Sequence, residues 1–183
     1  MKAVIINAII LATVLSGAAV FAEDITIQNL VRAESDTMFR LTMKERNIGI
    51  GKIFHEREVA TANSPQTVIR ANQDTFYSGA IVNLSKPVTV TLPEGDGRFQ
   101  SVLVISQDHY NFAYAKPGAY KLTEEEVGTR FAMLLFRTFV DAGDPDDAAR
   151  QWISANPGIL ETWLDGVTTA DGGDAMDAAM QIV

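Results

Sequence analysis

Two stretches constrain this chain's fold more than any others. Residues 99–106 (F-Q-S-V-L-V-I-S) and 131–140 (F-A-M-L-L-F-R-T-F-V) are apolar at both odd and even positions. Successive side chains on a strand point to opposite faces, so such a run must be covered on both sides. Each is therefore expected at the centre of a sheet, with other structure packed above and below. Residues 88–92 differ: Val88, Val90 and Leu92 alternate with Thr89 and Thr91, the period-two pattern of a half-buried strand. Ser78, Ala80 and Val82 likewise alternate with Gly79, Ile81 and Asn83. Pro93-Glu94-Gly95-Asp96-Gly97 and Pro117-Gly118 supply turns. Connections of hairpin length make neighbouring strands antiparallel.

Helices are expected at both ends of this strand series. Across residues 25–46, Ile27, Leu30, Val31, Met38 and Leu41 recur at helical spacing. They predict a core-facing stripe, with Arg32, Glu34, Asp36, Arg40 and Lys44 on the remaining surface. Asn47 and Gly49 make a helix stop, since both tolerate the left-handed turn. Residues 52–67 read as a polar surface connection, with His55 solvated. Thr123-Glu124-Glu125-Glu126 matches a capping box. Asp144-Pro145-Asp146-Asp147 starts a helix that ends before Asn156-Pro157-Gly158, and residues 174–183 read as a further short helix. The expected fold is mainly β (α+β): an antiparallel β-sheet or sandwich with an N-terminal helix and one or two C-terminal helices.

The first residues read as an address. Lys2 precedes an apolar run, and Val20-Phe21-Ala22 fits a signal-peptidase site. Asn7, Ser16 and Gly17 weigh against the rival reading, an uncleaved anchor. The expected layout is a signal peptide over 1–22, cleaved after Ala22, then one domain over 23–156 and a C-terminal extension over 157–183. The product would be periplasmic or secreted, without stable membrane insertion after cleavage. The net charge of −8, with no basic stripe, argues against nucleic acid and against anionic lipid. With no cysteine, there is no disulfide and no thiolate metal site.

Polar chemistry concentrates in two clusters. The first, residues 70–78, contains Arg70, Asn72, Asp74 and Tyr77; the second contains Asp108, His109, Tyr110 and Asn111. If the first is extended, Arg70, Asn72 and Asp74 share one side. They would either fix the turn entering the first strand or present a polar floor that binds a small acidic or hydroxylated ligand together with Tyr77. Asp108 and His109 suggest an acid/base pair, but neighbours on a strand point apart. Two histidines and no cysteine give little basis for a metal site, and no cofactor is expected. Arg130 and Arg137 flank or occupy an apolar run, so a buried polar network with Asp74 or Asp108 is expected there. Phe112, Tyr114 and Tyr120 would line a sugar-binding groove or pack between strands.

The runs N-Q-D-T-F-Y-S (72–78), G-R-F-Q-S-V-L-V-I-S-Q-D-H-Y (97–110), G-T-R-F (128–131) and R-T-F-V-D (137–141) resemble the domain-of-unknown-function 1254 family in order and spacing. The resemblance implies a compact, largely antiparallel β domain, often exported, with no established reaction. Many relatives continue into a second β domain of the 1214 type. This chain is expected to be a stand-alone member lacking that domain: a self-sufficient version, half of a two-protein assembly in which a separate protein supplies the second domain as partner, or a truncated remnant. Two functions follow: a non-catalytic module binding a small polar ligand or a partner protein, or a hydrolase- or lyase-like enzyme using Asp/His proton transfer.

Overall fold

The computed structural model describes residues 24–56, 58–61, 72–94, 97–141, 143–144 and 164–165. The signal peptide, Arg70, the boundary at 156 and the two C-terminal helices lie outside the described residues. Within them the chain is mainly β, with one long and one short helix. The long helix, α1, is Leu30–Arg46, and the strands are β1 (Ile53–His55), β2 (Thr75–Asn83), β3 (Val88–Leu92), β4 (Gln100–Ser106), β5 (Asn111–Tyr114), β6 (Gly118–Leu122), β7 (Phe131–Phe139) and β8 (Leu164–Asp165). The short helix α2, Glu124–Val127, sits between β6 and β7. Thr123 caps it as expected, its hydroxyl accepting the Glu126 N–H at 3.2 Å.

The strands form two antiparallel sheets, ordered β1-β2-β7-β4-β5 and β6-β3-β8. The doubly apolar run 131–139 becomes β7, the middle strand, paired with β2 on one side and β4 on the other. That position explains its composition. Phe136, Leu134 and Ala132 share the inner face with Val82, Phe76, Val102 and Val104, and these pack against Val88, Val90 and Leu92 of the smaller sheet. Met133 and Phe131 lie on the outer face with Ile81, under Phe39 and Met43 of α1. The molecule is thus three layers: helix, five-stranded sheet, three-stranded sheet. β3, an element of the outer layer, buries Val88, Val90 and Leu92 and half-buries Thr89 and Thr91, as its alternation predicts.

Four expectations change. Residues 52–67 are not all loop: Ile53, Phe54 and His55 pair with β2 as an edge strand. His55 is half-buried, its Nδ1 2.7 Å from Ser78 Oγ. β7 does not close the strand series, because β8 pairs with β3. The largest change concerns α1. It starts at Leu30 rather than near residue 25, and it is rotated relative to its apolar stripe. Ala33, Ser35, Asp36 and Phe39 face inward, whereas Ile27 is 90% exposed and Leu30, Val31, Met38 and Leu41 are 37–50% exposed. The physical reason lies in partners. Asp36 finds a hydrogen-bond partner in Gln107 beneath the helix, which offsets the burial of its carboxyl, whereas the Ser35 hydroxyl is buried without one. The helix ends as predicted, on Asn47 in the left-handed conformation (φ 50°).

Candidate functional site

The two polar clusters fold into separate structures. Asn72, Asp74 and Thr75 form a closed turn at the entrance to β2. The Asp74 N–H donates to Asn72 Oδ1 (3.2 Å), Asn72 Nδ2 donates to Thr75 Oγ1 (3.0 Å), and that hydroxyl donates to Asp74 Oδ1 (2.9 Å). The Asp74 carbonyl accepts the Val140 N–H at 2.9 Å. This is an Asx-type turn tied to the end of β7. Tyr77 lies on the outer face of β2, directly opposite Arg137 on β7, whose guanidinium carbon stands 5.9 Å from the ring centroid.

The second cluster is the β4–β5 hairpin. The His109 N–H donates to Ser106 O (3.0 Å) and the Ser106 N–H to Tyr110 O (2.9 Å), with His109 left-handed at φ 63°. This turn-plus-bulge geometry normally favours glycine at the left-handed position. Tyr110 is 79% exposed, and Asn111 is exposed opposite Ile105. Asp108 turns away from His109 toward the helix. Arg32 Nη2 and Nε lie 2.6 and 2.7 Å from Asp108 Oδ1.

Asp74 and Asp108 stand at opposite ends of the large sheet. Asp74 is bonded to Val140, while Ser106, beside Asp108, faces Ala132 at the other end of β7. At strand rise the two ends are roughly 25 Å apart. No single proton transfer spans that gap, so the Asp74–Asp108–His109 constellation of the enzymatic alternative does not assemble here. The proposed arginine partners also differ. Arg130 donates through Nε to Asn83 Oδ1 at 3.3 Å and overlies the Phe131 ring. Arg137 has Tyr77 beside it rather than Asp74 or Asp108. Tyr114 and Tyr120 stack on each other, with ring centroids 3.9 Å apart and planes 13° apart. They use their faces in strand packing, not as an open sugar platform.

The most elaborate polar arrangement is one that reading by cluster missed. It joins α1 to the β4–β5 turn. Gln107, 4% exposed, donates through Nε2 to Asp36 Oδ1 at 2.7 Å and accepts the Phe131 N–H on Oε1 at 3.0 Å. Its own N–H donates to Thr129 Oγ1 (3.1 Å), whose hydroxyl donates to Phe131 O (2.8 Å). Asp36 is 2% exposed. Burial pushes its carboxyl above the ordinary range, with Asp108 adding to the rise; the Gln107 hydrogen bond and the Arg32 and Arg40 charges pull the other way. The available signal was Arg32, Asp36 and Arg40, spaced by four on one helix stripe with alternating sign. Among the described residues no three His, Asp or Glu side chains group as metal ligands, and no helix is long and apolar enough to cross a membrane.

Fold and site together define a helix-backed antiparallel β-sandwich with structural polar networks at both ends of its main sheet. A family model described as "Protein of unknown function (DUF1254)" matches residues 50–155, more than half of the chain. The chain belongs to that family. The match begins just beyond α1. Among solved structures, the VPA0106 protein from Vibrio parahaemolyticus superposes with a TM-score of 0.51 at 16% identity, covering 77% of this chain and 35% of that one, a likeness of fold alone. A 60-residue stretch is 37% identical to the glycine betaine/carnitine transport binding protein GbuC of Listeria monocytogenes serotype 1/2a (strain 10403S), covering 32% of this chain and 20% of that protein. The chain thus spans about a third of the first relative and a fifth of the second.

Proposed function

We propose that this chain is an exported, non-catalytic recognition module that binds a partner protein through the outer face of α1. One observation carries this reading. Leu30, Val31, Met38 and Leu41 form an apolar stripe 37–50% exposed on a helix whose buried face holds Asp36 and Ser35, and Ile27, 90% exposed, continues the stripe just before the helix starts. The exposed side chains, with Ile25 beside them, amount to an apolar patch on the order of 500 Å2, at the upper end for a soluble monomer. A helix that turns apolar groups to water and polar groups inward fits one that receives a second surface. The occupant proposed is a protein carrying the second, 1214-type β domain. Support comes from the Vibrio structure, in which a fold of this kind makes up 35% of a longer chain.

The test is co-expression with such a second-domain protein, followed by size-exclusion chromatography. A stable complex is expected. Ile27→Asp with Met38→Asp should abolish it and leave the melting temperature of the isolated chain unchanged. Absence of a complex, or one indifferent to both substitutions, overturns the reading. Export is checked by N-terminal sequencing of the periplasmic protein, which should begin at Glu23.

A further inference from the structure

α1 covers only one half of the outer face of the five-stranded sheet. Register shows where the cover stops. The row Ile81–Met133–Ile105 lies under Phe39 and Met43. The next rows are Gly79–Leu135–Leu103 and Tyr77–Arg137–Ser101. Beyond them Phe139 sits opposite Thr75, and its N–H donates to Phe99 O at 2.9 Å. Exposure rises along this path: Leu135, Leu103, Tyr77 and Arg137 are half-buried, whereas Phe139 is 41% and Phe99 52% exposed. Leu135 still packs on the α1 cluster and Gly79 lies under the Phe54 ring, so the surface left open is the part around Leu103, Arg137, Phe139 and Phe99.

The Arg137 guanidinium is unusual in its surroundings. Arg137 Nε is buried yet has no hydrogen-bond acceptor, and Arg137 makes no ion pair among the described residues. Nearby carboxylates are engaged elsewhere. Asp74 takes the Thr75 hydroxyl, and Glu56, bonded through its N–H to Tyr77 O, forms an ion pair with Arg46. A buried donor without an acceptor is costly, and an arginine fork matches a carboxylate in shape as well as charge. Tyr77, with its ring centroid 5.9 Å from the guanidinium carbon, restrains the side chain and so lowers the ordering needed to bind.

We propose that this open half-face is a second docking site, for an extended segment of a partner protein that sets a carboxylate on Arg137 between apolar side chains on Leu103, Phe99 and Phe139. Charge and surface together select that occupant. In a chain of net charge −8, the Arg137 guanidinium beside Tyr77, with Arg98 bonded to Phe139 O at 2.9 Å on the far edge, attracts a local acid but not a broadly acidic surface. The face is an open sheet surface, not an enclosed cavity, so a free small acid would stay largely in water, whereas a polypeptide segment covers the aromatics as it delivers the carboxylate. The site is separate from the α1 stripe, and its test is independent of that reading.

The probe is a fluorescent acetyl-Leu-Phe-Glu-Phe-Leu-amide peptide with a soluble tail, compared with its Gln analogue by anisotropy against the full chain. The Glu peptide is expected to bind roughly tenfold more tightly or better, the scale of one charge-assisted bond. Arg137→Gln should erase the preference for Glu over Gln. Phe99→Ser and Phe139→Ser should weaken both peptides alike, since both side chains are exposed and their loss spares the fold. Ile27→Asp with Met38→Asp should change neither. Equal binding of the two peptides, a preference that survives Arg137→Gln, or no binding of either at millimolar concentration overturns the proposal. Circular dichroism of Arg137→Gln separates a lost site from a lost fold, with Arg137→Lys as the second variant: it retains charge without the fork and should show a reduced preference.

Discussion

Gln107→Glu isolates the contact that joins the helix to the sheet. The substitution keeps the size of the side chain and the oxygen that accepts the Phe131 N–H. It replaces the amide nitrogen, which donates to Asp36 Oδ1 at 2.7 Å, with a carboxylate oxygen. Two carboxylate oxygens at that distance cannot both be unprotonated, so one carboxyl retains its proton far above its usual range. An acid forced to stay protonated, or left charged and unpaired, at a buried contact costs on the order of 3–5 kcal/mol at neutral pH. That is a large fraction of the ~5–15 kcal/mol that holds a domain folded. The direction with pH follows from linkage: the folded state binds the proton more tightly than the unfolded state. The deficit is therefore full above the raised folded value, shrinks as pH falls through it, and is gone below the unfolded carboxyl value near ~4. Wild-type stability should move the same way more weakly, because burial already raises Asp36. Urea denaturation from about pH 4 to about pH 8 measures both curves. Gln107→Leu is the comparison: it removes the hydrogen bond that holds the Asp36 carboxyl down without adding a second acid, so its loss should change with pH in the same direction but less steeply. A Gln107→Glu deficit that is small, or constant with pH, refutes the contact.

Three further outcomes are expected. Phe39→Ala should cost about 3–5 kcal/mol, because the ring is fully buried, while Ile27→Ser should stay within about 0.5 kcal/mol; the reverse ranking in chemical denaturation would mean α1 is rotated the other way. Gly79→Ala should destabilise by about 1–3 kcal/mol, because its new Cβ would stand 2.6 Å from the Phe54 ring and 3.2 Å from Leu134 O; a neutral melt would show that β1 yields freely. His109→Gly should raise stability by up to ~1 kcal/mol, since φ is 63° there and the left-handed region is disfavoured for any residue with a Cβ; a loss would mean the imidazole makes a contact of its own.

Much of the β architecture was legible because strand burial is written locally. A short run apolar on both faces and bounded by turns reads as a buried strand, and residues 131–139 are the middle of the large sheet. Val88, Val90 and Leu92 alternate with threonines and form an outer strand. The Thr123 cap, the Asn47 stop and the turn around Asn72 and Asp74 were likewise readable, because each depends on side chains within a few residues of the backbone they bond. The motifs at 72–78 and 97–110 carried the family, which the match over 50–155 bears out.

The partners of the polar residues were not legible. Asp108 was paired in expectation with arginines of the apolar strand, and it pairs with Arg32, far away in sequence. Gln107, which precedes the second polar cluster in sequence, bridges Asp36 and Phe131. The orientation of α1 depended on these choices. By itself the helix had an apolar stripe and a charged one, and hydrophobicity alone favours burying the first. Two sheets assembled from distant segments placed a hairpin amide, a carboxylate and a threonine under the charged stripe, where Arg32 and Asp36 are satisfied. Burial of Asp36 was thereby compensated, though the Ser35 hydroxyl was not, and Ile27, Val31, Met38 and Leu41 were left outward. The chain's own sequence determined which segments are strands, where they turn and which family they form. Only the tertiary structure decided which way α1 faces and that Arg137 has no carboxylate partner among the described residues, because both depend on which distant side chains the sheet register brings together.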